Sequence, residues 1–116
     1  MKQRLLYHIR SFGYALSGLK VLLLGERNML IHLLATLVVI ALALWFRLNT
    51  ERWCLLLFAI AGVWIAEAFN TAIERLCNVV NPEKHPIIKQ VKDISAAAVL
   101  LAAIAAVLTG ILIFFF

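Results

Sequence analysis

The sequence predicts an all-α membrane protein: an N-terminal amphipathic surface helix followed by three transmembrane helices. Three observations carry this. Of the 116 residues, 65% are apolar and 15% charged, too apolar for a soluble domain of this length. Long apolar stretches recur along the chain, each able to cross about 30 Å of hydrocarbon. The basic residues alternate in density between them. Lys2, Arg4, Arg10, Lys20 and Arg27 precede the first stretch, and Arg75, Lys84, Lys89 and Lys92 lie between the second and third. The turn joining the first and second has Arg47 and Arg52 alone. Cytoplasmic loops carry the excess of lysine and arginine, so the N-terminus and the second loop are expected inside. The net charge of +5 therefore speaks for topology and anionic lipid, not nucleic acid.

One domain over residues 1–116 is expected. Residues 1–25 read as the surface helix. Leu5, Ile9, Phe12, Leu16, Leu19 and Leu23 recur at spacings of three and four, and the basic side chains can lay their stems along a membrane surface. A helix packed on the bundle would show the same spacing. No small-residue cleavage site follows, so a signal peptide is not expected.

The first span is expected over 29–46, between Asn28 and Arg47. Leu48 to Arg52 reads as a tight outer turn. The second span is expected over 53–80. At ~1.5 Å per residue it is about 42 Å long, more than the hydrocarbon needs, so its last turns project into the cytoplasm. Asn81-Pro82 stops it, because proline disfavours helix at the preceding residue. Pro82 to Lys89 reads as a polar loop, and the third span is expected over 94–116.

Ala98, Ala102, Ala106 and Gly110 form a small-residue stripe on the third span, and Gly62 and Ala66 a shorter one on the second. Such stripes permit close helix contact, within one chain or between copies. Cys54 and Cys77 lie roughly 34 Å apart along one helix, beyond disulfide reach, and read as small apolar fillers.

Glu67, Asn70 and Glu74 lie inside the second span at i, i+3 and i+7, on one helical face. Carboxylates at that depth are costly and usually mark function. An intramembrane acid needs a protein-lined pocket, which three spans alone enclose poorly, so a homo-oligomer with sites between chains is expected. Glu26 and Asn28 before the first span, and Lys92 and Asp93 before the third, fall at the same cytoplasmic level. Magnesium takes one or two carboxylates plus substrate phosphates, a role open to Glu26 and Glu74. Lys92 can neutralise phosphate charge. Glu67, deepest of the set, can accept a proton from an alcohol. The whole describes phosphoryl transfer to a membrane alcohol, where positioning and electrostatics do most of the catalysis. Each member also has a plainer reading. Glu26 or Glu74 can pair with an interfacial lysine, and Asp93 can cap the third span at its positive N-terminus. Asn70 and His32 can make cross-helix hydrogen bonds, and His85 can simply be solvated. The phosphate-binding loops GxxxxGK[ST] and GxGxxG are absent.

Glu67-Ala-Phe-Asn70-Thr-Ala-Ile-Glu74, followed downstream by Lys92-Asp93-Ile-Ser-Ala-Ala-Ala-Val-Leu, resembles the signature of the prokaryotic diacylglycerol kinase and undecaprenol kinase family. The resemblance runs from Gly13-Tyr14 through Glu26-Arg-Asn28 to the third span. It implies a small kinase of the bacterial inner membrane that uses magnesium ATP to phosphorylate a lipid alcohol. It also implies a homotrimer whose active sites are shared between chains. Carried over by position, Glu67 matches the general base, and Glu26 and Glu74 the metal-binding glutamates. Asn70, Lys92 and Asp93 match polar residues of the nucleotide site, and Tyr14 and His85 match nucleotide contacts. Asn78 departs from the family's usual aspartate. Residues 26–32 and 81–86 look more like the undecaprenol branch, with diacylglycerol the alternative substrate. Outside kinases, a small channel or transporter needs a polar path across the whole membrane, whereas Cys54 to Ile65 is apolar apart from Gly62. A structural subunit would turn over no ATP.

Overall fold

The computed structural model describes residues 1–116 and is all-helical, with α1 (Lys2–Gly25), α2 (Arg27–Trp45), α3 (Thr50–Val80) and α4 (Pro86–Phe115). The chain forms two compact units, Met1–Ile31 and His32–Phe116. In the first unit α1 ends where Glu26 turns to extended backbone. Its apolar stripe, Leu5, Ile9, Phe12, Leu16 and Leu19, is exposed. That is the surface an interfacial helix offers to acyl chains.

In the second unit α3 and α4 pack as an antiparallel hairpin. Ala43, Leu56 and Ile113 form a buried cluster at one end, with Val39, Trp53 and Phe114 packed against it. At this end Arg52 donates a hydrogen bond to the carbonyl of Ile113, one of the orphan acceptors of the last turn of α4. At the other end Asn70 meets Ser95 and Asn78 meets Lys92. Three helices, α2, α3 and α4, are long and apolar enough to cross a membrane, at 19, 31 and 30 residues. With most of its large apolar side chains exposed, the chain is a membrane protein.

The helices overrun the expected spans. α3 starts at Thr50, three residues before Trp53, because the Asn49 side chain accepts from the Arg52 N–H and caps it. α4 starts at Pro86, not near Ile94. Pro86 occupies the first turn, where its missing N–H costs nothing, and the His85 ring accepts from the Ile87 N–H. The stretch from Pro86 to Lys89 is thus helix, and the loop is confined to residues 81–85. α2 stops at Trp45. Arg47 turns to φ 50°, with Leu48 N–H bonded to the Ala43 carbonyl and Arg47 N–H to that of Leu44. This is a Schellman stop with a non-glycine residue in the left-handed position.

The glycines of the two small-residue stripes make no close helix contact within the chain. A methyl group added at Gly62 or Gly110 would meet nothing within 4 Å. Ala106 and Gly110 instead line an open groove.

Candidate active site

The inward face of α3 is polar over several turns. Glu67, Asn70 and Thr71 are buried, with Glu67 only 3% exposed, and Glu74 is half-buried one turn on. They are buried because this face of α3 turns toward α2 and α4. His32, early in α2, places Nε2 3.4 Å from Oε2 of Glu67. The register is fixed one turn along. The Trp64 indole N–H donates to Oγ1 of Thr36 at 3.0 Å, and the Thr36 hydroxyl donates to the His32 carbonyl at 2.7 Å. From α4, Ser95 donates its hydroxyl to Oδ1 of Asn70 at 2.7 Å, within the buried interface. Beyond Glu74, Asn78 accepts from Nζ of Lys92 at 2.7 Å.

Two hollows flank this face. One is an apolar groove of about 390 Å³ along α2, α3 and α4, with His32, Thr36 and Trp64 its polar members. The other, about 620 Å³, lies around the loop before α4 and is lined by Glu83, Lys84, His85, Lys89 and Lys92 among others. The α3 face thus runs from a carboxylate beside an apolar groove to a lysine bordering a basic hollow.

The sequence-derived residues distribute as follows. Glu67, Asn70 and Glu74 share the face as expected, and Lys92 reaches its end through Asn78. His85 and Lys92 line the same basic hollow. His85 is more than a solvated side chain, since it caps α4. Asp93 does not cap α4, which begins seven residues earlier. It is exposed and pairs with Lys89 on its own helix at 2.6 Å. Tyr14 and Glu26 belong to the first unit. Tyr14 is exposed on α1, and Glu26 is half-buried at its C-terminal end. Sequence reasoning took Asn70 and His32 as possible cross-helix hydrogen-bonding groups. Asn70 makes such a bond, and His32 comes within 3.4 Å of Glu67 across the helices. The same reasoning missed Ser95, whose signal was a hydroxyl at the very start of an apolar run, just before three alanines.

No three His, Cys, Asp or Glu side chains gather anywhere in the chain. A hard divalent cation needs no such cage when substrate phosphates and water complete its shell. The half-buried Glu74 carboxylate beside the Asn78–Lys92 pair offers the oxygen donor that such an ion takes.

An acidic, partly buried α3 face thus lies at one end of three membrane helices, with a basic hollow beside it. Residues 13–114 match the family model for prokaryotic diacylglycerol kinase. The chain is 31% identical over 105 residues to the undecaprenol kinase of Bacillus subtilis, covering 90% of this chain and 85% of that one. It is 32% identical over 101 residues to the diacylglycerol kinase of Escherichia coli K12, covering 87% and 83%. It is 38% identical over 101 residues to the diacylglycerol kinase of a Synechocystis strain, covering 86% of this chain and 58% of that protein. The chain belongs to the prokaryotic diacylglycerol kinase family and is a membrane lipid kinase.

Proposed function

We propose that this kinase transfers the γ-phosphoryl group of magnesium ATP to undecaprenol, giving undecaprenyl phosphate. It works in the bacterial inner membrane as a homotrimer with sites shared between chains, and the N-terminus and active site face the cytoplasm. The observation that carries the reading is Glu67, a carboxylate 3% exposed in a membrane helix. It stands about 10 Å along the axis from Glu74, room for a phosphoryl chain between them. The lipid hydroxyl oxygen attacks the γ-phosphorus as the bond to ADP breaks, and its proton passes to Glu67. Glu74 and Glu26 would hold the magnesium ion that accompanies ATP. Lys92 offsets phosphate charge from the wall of the basic hollow, with Tyr14, His85 and Asp93 completing the nucleotide site and Asn70 supporting it. Magnesium supplies charge neutralisation at the phosphates and needs only the hard oxygens these glutamates offer.

Undecaprenol is preferred because residues 26–32 and 81–86 look more like that branch and the Bacillus relative carries that name. Diacylglycerol is the second reading, favoured by the names of the Escherichia and Synechocystis relatives. Labelled ATP offered with each lipid in turn to the purified protein decides between them by which becomes phosphorylated.

The mechanism is tested by two variants on the same folded protein. Glu67→Gln keeps shape but not basicity, so turnover falls by ~10²–10⁴ while magnesium ATP affinity holds. Glu74→Gln lowers both. Turnover at the parent rate in Glu67→Gln removes Glu67 from the mechanism.

A further inference from the structure

We propose that His32 is a positioning residue for Glu67, holding one carboxylate oxygen so that the other faces the lipid hydroxyl. This rests on the reading of Glu67 as the base. The geometry comes from α2 and α3 alone. Nε2 of His32 lies 3.4 Å from Oε2 of Glu67, and His32 also forms part of the wall of the apolar groove. An alcohol whose chain lies in that groove meets His32 at its polar end, with the Glu67 carboxylate 3.4 Å beyond that ring nitrogen.

A buried carboxylate with no partner pays heavily for lost hydration and rotates among its rotamers. A ring N–H on one oxygen lowers that cost and fixes the plane of the carboxyl group. A carboxylate has acceptor sites on both oxygens, so the second stays open to the substrate O–H. As the O–P bond forms and the bond to ADP breaks, the proton leaves the alcohol for this second oxygen, and His32 neither gains nor loses one. The backbone that carries the imidazole is tied to α3 nearby. The His32 carbonyl accepts from Thr36, and Thr36 accepts from Trp64 on α3. The chain therefore fixes the approach of α2 to α3 within a turn of the pair. Misplacing a catalytic group by about 1 Å can cost ~10²-fold in rate, so removing this support is felt in kcat.

The test compares three substitutions in the full-length protein, in micelles containing undecaprenol or diacylglycerol with labelled ATP. The amide nitrogen of glutamine overlays Nε2, whereas that of asparagine stops short of Glu67. His32→Asn and His32→Leu are expected to lower kcat by roughly 10–100-fold with KM for magnesium ATP nearly unchanged. His32→Gln is expected to recover most of the rate. In a Glu67→Gln background, His32→Leu is expected to lower the residual rate no further, since it acts through the absent base. Asparagine and glutamine are both polar and similar in bulk, so the contrast between them survives if the leucine variant folds poorly. A parent-rate His32→Asn protein, or a glutamine variant as slow as the asparagine one, overturns the proposal. So does a full further loss from His32→Leu in the Glu67→Gln background. A slow Glu67→Gln with a parent-rate His32→Asn overturns His32 alone, whereas a parent-rate Glu67→Gln overturns the base and His32 with it.

Discussion

At the scale of single residues, the Asn70–Ser95 hydrogen bond separates structure from chemistry. It is short, at 2.7 Å, and both side chains are buried between α3 and α4. Cross-helix polar pairs in membranes contribute roughly 0.6 kcal/mol on average and up to about 1.7. Ser95→Ala is therefore expected to reduce resistance to denaturing detergent by an amount in that range, with magnesium ATP affinity unchanged. A loss of ATP affinity without loss of stability would instead move Asn70 fully into the nucleotide site. The Glu67, Asn70 and Glu74 face was legible because helical spacing is enough to place three residues on one side. The partners were not legible. Which α2 or α4 residue meets each of them depends on the register of packed helices, and a lone histidine or serine in an apolar run carries no register. Asn78 shows the same limit. Its amide oxygen accepts from the Lys92 ammonium, so an ion–dipole hydrogen bond stands where an aspartate would form an ion pair.

At the scale of elements, existence and order were legible and the ends were not. The apolar runs set the spans, because the hydrocarbon needs about 20 apolar residues per helix. Helical backbone outside the hydrocarbon is decided by caps. Asn49 extends α3 back to Thr50, and His85 with Pro86 carries α4 through Lys89, Lys92 and Asp93, residues too polar to count as span. This extension matters for function, since it puts Lys92 on a rigid helix opposite Asn78 and not on a loop. The turn after α2 offers a stability prediction. Arg47 sits at φ 50°, where a side chain costs roughly 1–2 kcal/mol. Glycine removes that strain but costs about 0.5–1 kcal/mol in unfolded-chain entropy. Arg47→Gly is thus expected to stabilise the protein by up to about 1 kcal/mol in denaturation. A net loss would mean that the arginine side chain anchors the turn more strongly than its backbone strains it.

At the scale of the whole molecule, the bilayer and the distribution of charge decide which side meets ATP. The exposed apolar faces of α2, α3 and α4 are covered by lipid or by other copies, so water reaches the chain chiefly at the helix ends. The basic hollow and the α3 acids lie toward the end where α3 stops and α4 begins. That end carries Arg75, Lys84, Lys89 and Lys92, and the N-terminal segment carries Lys2, Arg4, Arg10, Lys20 and Arg27. The opposite turn holds Arg47 and Arg52, beside Glu51. Lysine and arginine are retained on the cytoplasmic side, and acids contribute little to the choice. With three crossings the termini are expected to face opposite ways, with the N-terminus inside. With Cys54 and Cys77 replaced, Lys2→Cys and Phe116→Cys can be probed in intact cells with a membrane-impermeant thiol reagent. The cysteine at position 116 is expected to react from outside and the one at position 2 only after lysis. The reverse pattern would put the basic hollow on the face without ATP and exclude a cytoplasmic nucleotide site. Labelling of both from outside would mean an even number of crossings, and one of the three long helices would then lie along the membrane instead of through it.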